Sequence, residues 1–398
     1  MRKLIYLFAI LFLAGVLFSC NNNEIEPPIE PEPEPSALTK AEVVFDKTFP
    51  GIEDGPFRIR INSNDDFFLL GMENVVKIDK NGNKKWAIAQ RIVLDFAPTR
   101  DGGVIIASVR NSRFHLAKIS SEGTIEWEKP VVGNRRLSTI VVGDDGYIYG
   151  VGAVEVPHDR NNAQPMFFKF TKEGDYLFSR FLTDTNNNNV NNPICMIKLS
   201  NNNFVVGTMR NIGITRENFD FNIIEFDTNA DNISQRNYGG TQNEYLSDVI
   251  ETPNGGLVLT GVTMSRDRDI QSWREGISFD YSGSAWVVKL GQNREIEWEK
   301  IMGGTGFTFF GKASYHNNRL YVTFATSVED VDFNVPGNSK SGYIIFDNFG
   351  NVLDIRYITD ADFSSSVFDS QGNLILASAI QGYDDYHHTT TLRLIKIR

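Results

Sequence analysis

The 398-residue chain has two cysteines, Cys20 and Cys195, too few for a disulfide framework. Five histidines are scattered along it, and His387-His388 is the one adjacent pair. Neighbouring side chains on a strand point to opposite faces, so this pair does not share a metal. His158-Asp159 sits in a loop without ligand partners in sequence, and Arg266-Asp267-Arg268-Asp269 lacks the glycine and spaced acids of a calcium loop. No cluster of lysine and arginine marks a groove, and the formal charge is −11, which excludes nucleic acid as the expected partner. No Ser/His/Asp order and no phosphate-cradling glycine loop can be read, so no catalytic residue, cofactor or metal site is assigned. Paired carboxylates do occur, at Glu329-Asp330 with Asp332 and at Asp384-Asp385, which leaves hydrolysis open. Amphipathic helices are absent too.

The apolar run Leu4–Phe18 follows the basic Arg2-Lys3 and is short for a membrane span. It ends in Leu17-Phe18-Ser19-Cys20, which resembles the lipobox of bacterial lipoproteins. That resemblance implies cleavage after residue 19 and lipid, palmitate included, on Cys20. Several acyl chains hold a soluble domain on a membrane firmly, at about 0.8 kcal/mol per buried methylene. Residues 20–36 then form a linker rich in proline, with five glutamates and no basic residue, which stays extended and solvated. The stretch is similar to those of Bacteroidetes lipoproteins and implies an outer-membrane address, on the periplasmic or the cell-surface side. With Cys20 modified, Cys195 stands alone in the apolar run Ile194-Cys195-Met196-Ile197, where it reads as a small buried hydrophobe.

From residue 37 to 398 one pattern recurs. Lys77 precedes Trp86, Lys118 precedes Trp127 and Lys289 precedes Trp298, always by nine positions. Weaker copies start at Lys169, Glu225, Ile345 and Lys396, and the seven successive anchors are 41, 51, 56, 64, 56 and 51 residues apart. Each copy reads strand, tight turn, strand, and a unit of this length and content is a propeller blade. Seven further turns, such as Asp101-Gly102-Gly103 and Asn254-Gly255-Gly256, supply the first halves of the blades. The C-terminal half-blade ends one strand short. Val43-Val44-Phe45-Asp46-Lys47 matches the missing strand, with Phe45 in the tryptophan place, so residues 42–48 are expected to pair antiparallel with 391–398. The expected fold is all-β: a seven-bladed propeller of four-stranded antiparallel blades, closed by the N-terminal strand.

Thr252-Pro253-Asn254-Gly255-Gly256-Leu257, preceded by Gly239-Gly240-Thr241, resembles propeller repeats of Bacteroidetes envelope proteins. It is also similar to quinoprotein-like repeats, including those of outer-membrane assembly lipoproteins. Adjacent cysteines and a calcium site, as quinoprotein dehydrogenases have, are missing. Ser120-Ser121-Glu122-Gly123-Thr124 approaches a sialidase Asp box, but Trp127 falls three places beyond the threonine. The tryptophans Trp86, Trp127 and Trp298 are therefore read as packing between blades.

The second and third strands of blades three to seven are expected to be joined by long loops, at Val154–Gln164, Arg210–Asp220, Met264–Ser284, Thr326–Ser341 and Gln381–Thr389. Such loops within a domain are commonly functional. Trp273, Phe279, Tyr281, Phe333, Tyr383 and Tyr386 ride on them and are the candidate ligand-binding residues. The expectation is a monomeric, non-catalytic binding or scaffold lipoprotein. It is held to a membrane through Cys20 and recognises a glycan, a peptide or a partner protein. The alternative is a propeller glycosidase or polysaccharide lyase working with carboxylates at the central mouth.

Overall fold

The structure is a computed structural model that describes residues 36–37, 42–49, 58–71, 74–88, 92–156, 159–183, 193–211, 218–277, 283–327, 331–333, 340–358, 362–383 and 388–398. Seven antiparallel sheets of four strands stand in a ring. In each, strand A is innermost and strand D outermost. Blade one runs Arg58–Ile61, Phe67–Leu70, Val75–Ile78 and Lys84–Ile88. Blades two to six follow in chain order. Blade seven takes Asp362–Phe368, Leu374–Tyr383 and His388–Ile397 from the C-terminus, and its strand D is Val43–Phe49.

The closing pairing matches the sequence expectation. Val43 lies opposite Ile397, Phe45 opposite Lys396 and Phe49 opposite Leu392. A propeller left open here would expose two raw sheet edges, and the seam removes them. The nine-residue spacing is now explained as well, because it marks a cross-strand pair between strands C and D. Lys77 faces Trp86, Lys118 faces Trp127, Lys289 faces Trp298 and, at the seam, Lys396 faces Phe45.

These pairs join one blade to the next. The Trp86 indole donates Nε1–H to the carbonyl of Ser121 in blade two, 2.9 Å away. Its ring fills the space over Gly123, where φ is +86° and a Cβ would lie 2.7 Å from the ring. Glycine is needed there twice, for the left-handed turn and for the approach of the indole. Trp127 covers Gly174 and Trp298 covers Gly350 in the same manner, while Gly82 is covered by Lys47 together with Phe45. The opposing lysines are buried, with their amines on neighbouring carbonyls or acids: Lys77 on Gly102 O at 2.9 Å, Lys396 on Asp369 at 2.6 Å. In three C–D turns an aspartate, Asp79, Asp227 or Asp347, holds the bend, as Asp79 Oδ1 does by accepting from the amides of Asn81 and Asn83.

The B–C connections differ from expectation. In blade three the strands continue through the expected loop, with Val154 opposite Gln164 and Val156 opposite Asp159. Blade four likewise pairs Arg210 with Asp220, and blade seven pairs Tyr383 with His388. Continuing the ladder satisfies backbone groups that a loop would leave to water. Blade five alone makes a long excursion that is largely described, between strands Leu257–Thr263 and Ser284–Leu290.

Replacing Trp86 by Ala removes the indole and its bond to blade two, at a cost of about 3 kcal/mol. Chemical denaturation measures this loss, which Trp86→Phe should recover in good part.

Candidate functional site

The innermost strands of all seven blades line a cavity of about 430 Å³ on the ring axis. Its polar residues come from short strands that are otherwise apolar. Arg58 and Arg60 alternate along strand A of blade one, so both face the axis. Between blades one and three stands Asp95, fully buried. It accepts from Arg58 Nη1 at 2.5 Å, Arg60 Nη2 at 3.1 Å, Thr139 Oγ1 at 2.9 Å and the Ile140 amide at 2.8 Å. Burial alone would raise its pKa, but the two guanidiniums and the amide bonds outweigh burial and hold it at about 2. Across the axis, Lys312 Nζ meets Asp248 at 2.7 Å and the Ser247 carbonyl at 3.0 Å. Lys198 reaches Asp144 at 2.9 Å, on the A–B turn side. The axis thus gathers four cationic side chains, Arg58, Arg60, Lys198 and Lys312, against three acids, Asp95, Asp248 and, at the rim, Asp144. The local balance is positive in a chain of net charge −11. Cys195 also lines the cavity, and burial pushes its thiol up to about 11, so it stays neutral.

A second group of acids has the opposite character. Glu244 and Asp220 converge beside Gly239, where a Cβ would lie 2.3 Å from Glu244 Oε2 and 2.5 Å from Asp220 Oδ1. Glu244 accepts from Thr263 Oγ1 at 2.8 Å and from the Gly240 amide at 3.0 Å. Burial lifts it to about 7, with Asp220 adding to the rise. Asp220 is lifted to about 6 by burial, opposed by Arg268 and aided by Asp269. Asp267 and Asp269 hold the amides of Thr241 and Gly239, so the cluster ties the blade-five excursion to the Gly239-Gly240 bend. Glu244 is wholly buried, which shuts this pair away from solvent.

Of the aromatic residues expected to bind ligand, Trp273, Phe333 and the backbone of Tyr383 lie among the described residues. Trp273 is 37% exposed, carries the Arg266 guanidinium 5.1 Å over its ring, and donates to the Ile277 carbonyl. Phe333 corrects the expectation: it is fully buried, its ring 4.7 Å from Phe324, and fills the blade-six core. Tyr383 ends a strand opposite His388. Phe279, Tyr281, Tyr386 and Cys20 lie outside the described residues. The axial residues were not singled out from sequence. Their signal was a charge inside an apolar strand, as in Val93-Leu94-Asp95-Phe96, together with the alternation Arg58-Ile59-Arg60.

No protein-family profile and no curated protein sequence matches the chain. Solved structures do. Catalytically inactive virginiamycin B lyase from Staphylococcus aureus with quinupristin matches at a TM-score of 0.57 and 13% identity, over 89% of this chain and 99% of that one. A streptogramin B lyase matches at 0.54 and 12%, over 89% and 98%. YCF48 bound to D1 peptide matches at 0.54 and 8%, over 93% and 99%. At these identities the likeness is one of fold.

The two acid groups predict opposite pH responses. Asp95 has its folded pKa below the unfolded value of about 3.9, so its contribution is complete above pH 4 and fades toward pH 2. Glu244 has a raised folded pKa, so stability falls as pH rises from about 4.5 through 7. Glu244→Gln should flatten that fall, read as the thermal midpoint between pH 5 and 8. Asp95→Asn leaves two half-buried guanidiniums without their carboxylate and should cost about 2 kcal/mol at pH 7, read by chemical denaturation.

Proposed function

We propose that this propeller is a non-catalytic binding protein whose axial cavity receives an acidic group of its ligand. We further propose that lipid on Cys20 tethers it, as a monomer, to the outer membrane, on the periplasmic or cell-surface side. The observation that carries the binding reading is the cationic axis. Four basic side chains surround a pocket of small-ligand size in an acidic protein. A carboxylate or sulfate entering there meets preplaced donors at low effective dielectric.

The same geometry supports binding over hydrolysis. A glycosidase needs one carboxyl that keeps its proton and one that does not. Asp95 is held ionised by two arginines and Asp248 is engaged by Lys312. The proton-retaining pair, Glu244 with Asp220, is enclosed at the blade-four and blade-five end rather than on the axis. YCF48, of similar fold, is seen with a peptide, and a peptide carboxylate or an acidic glycan suits this axis equally.

Titration calorimetry with oligogalacturonate, its methyl ester, and peptides with free or amidated C-termini tests the reading. The acidic forms should bind more tightly, lose affinity with salt, and weaken about tenfold in Lys198→Met. Equal affinity for acidic and neutral forms would overturn it. Cys20→Ser should abolish palmitate incorporation and release the protein from the membrane fraction.

A further inference from the structure

The A–B turns are built alike in six blades. Each closes a bond from the amide of its first residue to the carbonyl of its fifth, as in Thr99–Gly103 and Thr252–Gly256. Blade six departs from this pattern. Its turn is the two-residue Asn317-Asn318, with both φ values positive and His316 opposite Arg319.

The shortening opens space between blades five and six. Between blades one and two, the longer turn folds over the buried lysine, and Gly102 O accepts from Lys77. The counterpart Lys289 turns instead to Asn348 O at 3.1 Å and to Glu297 at 3.0 Å. A cleft of about 550 Å³ results, lined by Trp298, Tyr315 and Phe349, with Asn254, Asn318 and Glu297 around them.

Phe349 is the second departure, and it adjoins the first. It stands at the third position of its C–D turn, where the other turns hold Asn81, Glu122, Glu173, Asn229 and Asn293. The turn geometry asks for nothing apolar there. Asp347 Oδ1 holds the bend by accepting from the amides of Phe349 and Asn351, a bond that any residue's amide can make. Yet Phe349 is 81% exposed, the most exposed large hydrophobic among the described residues. A phenylalanine left in water forgoes about 2 kcal/mol of burial, which a ligand can recover.

The cleft's chemistry selects the ligand. Flat rings offer faces to CH groups, while the side-chain amides of Asn254 and Asn318 offer partners to hydroxyls. Lys289 and Glu297 neutralise each other, so no net charge is presented. An extended peptide would draw on unpaired strand edges, whereas these walls are turns and side chains. We propose that the cleft between blades five and six is a subsite for a neutral oligosaccharide, of about two pyranose rings by volume, with Phe349 as its stacking platform. It lies on the A–B and C–D turn face, apart from the axial cavity.

The purified protein is screened on a glycan array, and the neutral glycans it retains are titrated by calorimetry. Two variants carry the test. Phe349→Asn gives the turn the residue type its counterparts have. The second replaces Asn317-Asn318 with the five residues of the blade-five turn, refilling the gap. Neutral oligosaccharides should bind the parent, weaken at least about tenfold in Phe349→Asn, and remain unaffected by Lys198→Met. The turn replacement should abolish binding. Its thermal midpoint is checked against the parent, and if it does not fold, Phe349→Asn decides alone. The proposal is overturned if the parent retains no neutral glycan, if it retains peptides instead, or if Phe349→Asn binds within about twofold of the parent. An effect of Lys198→Met on acidic ligands alone would leave the axial reading standing while this one is judged separately.

Discussion

The spacing of the blades is set at three joints by an indole laid over the neighbouring blade's turn. A four-stranded sheet of this size buries too little to stand alone, and its two faces become core only when the next blade covers them. The indoles of Trp86, Trp127 and Trp298 set the spacing at which that happens, since each rests on a glycine that admits no side chain. The lysines opposite Trp86 and Trp298 hold the same turns by their amines, Lys77 on Ser121 O and Lys289 on Asn348 O, whereas Lys118 opposite Trp127 pairs with Asp101 of its own blade. Where the indole is replaced, the joint is rebuilt from other groups. Tyr238 donates to the Arg294 carbonyl between blades four and five, and Arg236 pairs with Glu295 beside it. The seam between blades seven and one uses Phe45, backed by Lys47 on the carbonyls of Asn81 and Gly82.

Much of this frame was legible in the sequence, because it rests on interactions of short range along the chain. A strand, a turn with a glycine at fixed offset and a returning strand all lie within about fifteen residues. Even the seam could be read, because Val43–Lys47 repeats the pattern of Ile125–Lys129. The axial site was not legible for the converse reason. Arg58, Asp95, Thr139, Asp248 and Lys312 come from five blades, and no local spacing links them. Loop length misled in a third way. Val154–Gln164 lacks an alternating pattern, but its backbone pairs as far as Val156 and Asp159, because strands B and C already run side by side. Phe333 was misread for a related reason, as loop residues between two adjacent blades can be drawn into the core that the blades share.

The carboxyl groups show how differently one fold can treat the same chemistry. Asp95 and Glu244 are both fully buried. Two guanidiniums face Asp95, so its charge is the cheaper form. Glu244 faces hydroxyls, an amide and another acid, so its neutral form is the cheaper one. The first arrangement gives the axis a fixed pattern of charge that does not change across physiological pH. The second gives the joint between blades four and five a dependence on proton concentration within that range. Charge constancy thus belongs to the middle of the innermost strands and charge variability to the joint where Glu244 opens strand A of blade five beside Asp220 on strand C of blade four.

Before it becomes the closing strand, the chain makes one further contact. Ser36 and Ala37 lie parallel to Arg356 and Tyr357 on the outer edge of blade six, adding a fifth strand there, and Glu42 then pairs with Arg356. A pull on the chain start therefore meets blade six before it meets the seam, much as a clamp on a cable protects the plug. Blade six is one continuous stretch of chain, Thr308 to Ile358, and yielding at its edge leaves the ring shut. The joint whose failure would unzip the whole circle, Val43–Phe49 against His388–Ile397, is the one this arrangement keeps slack.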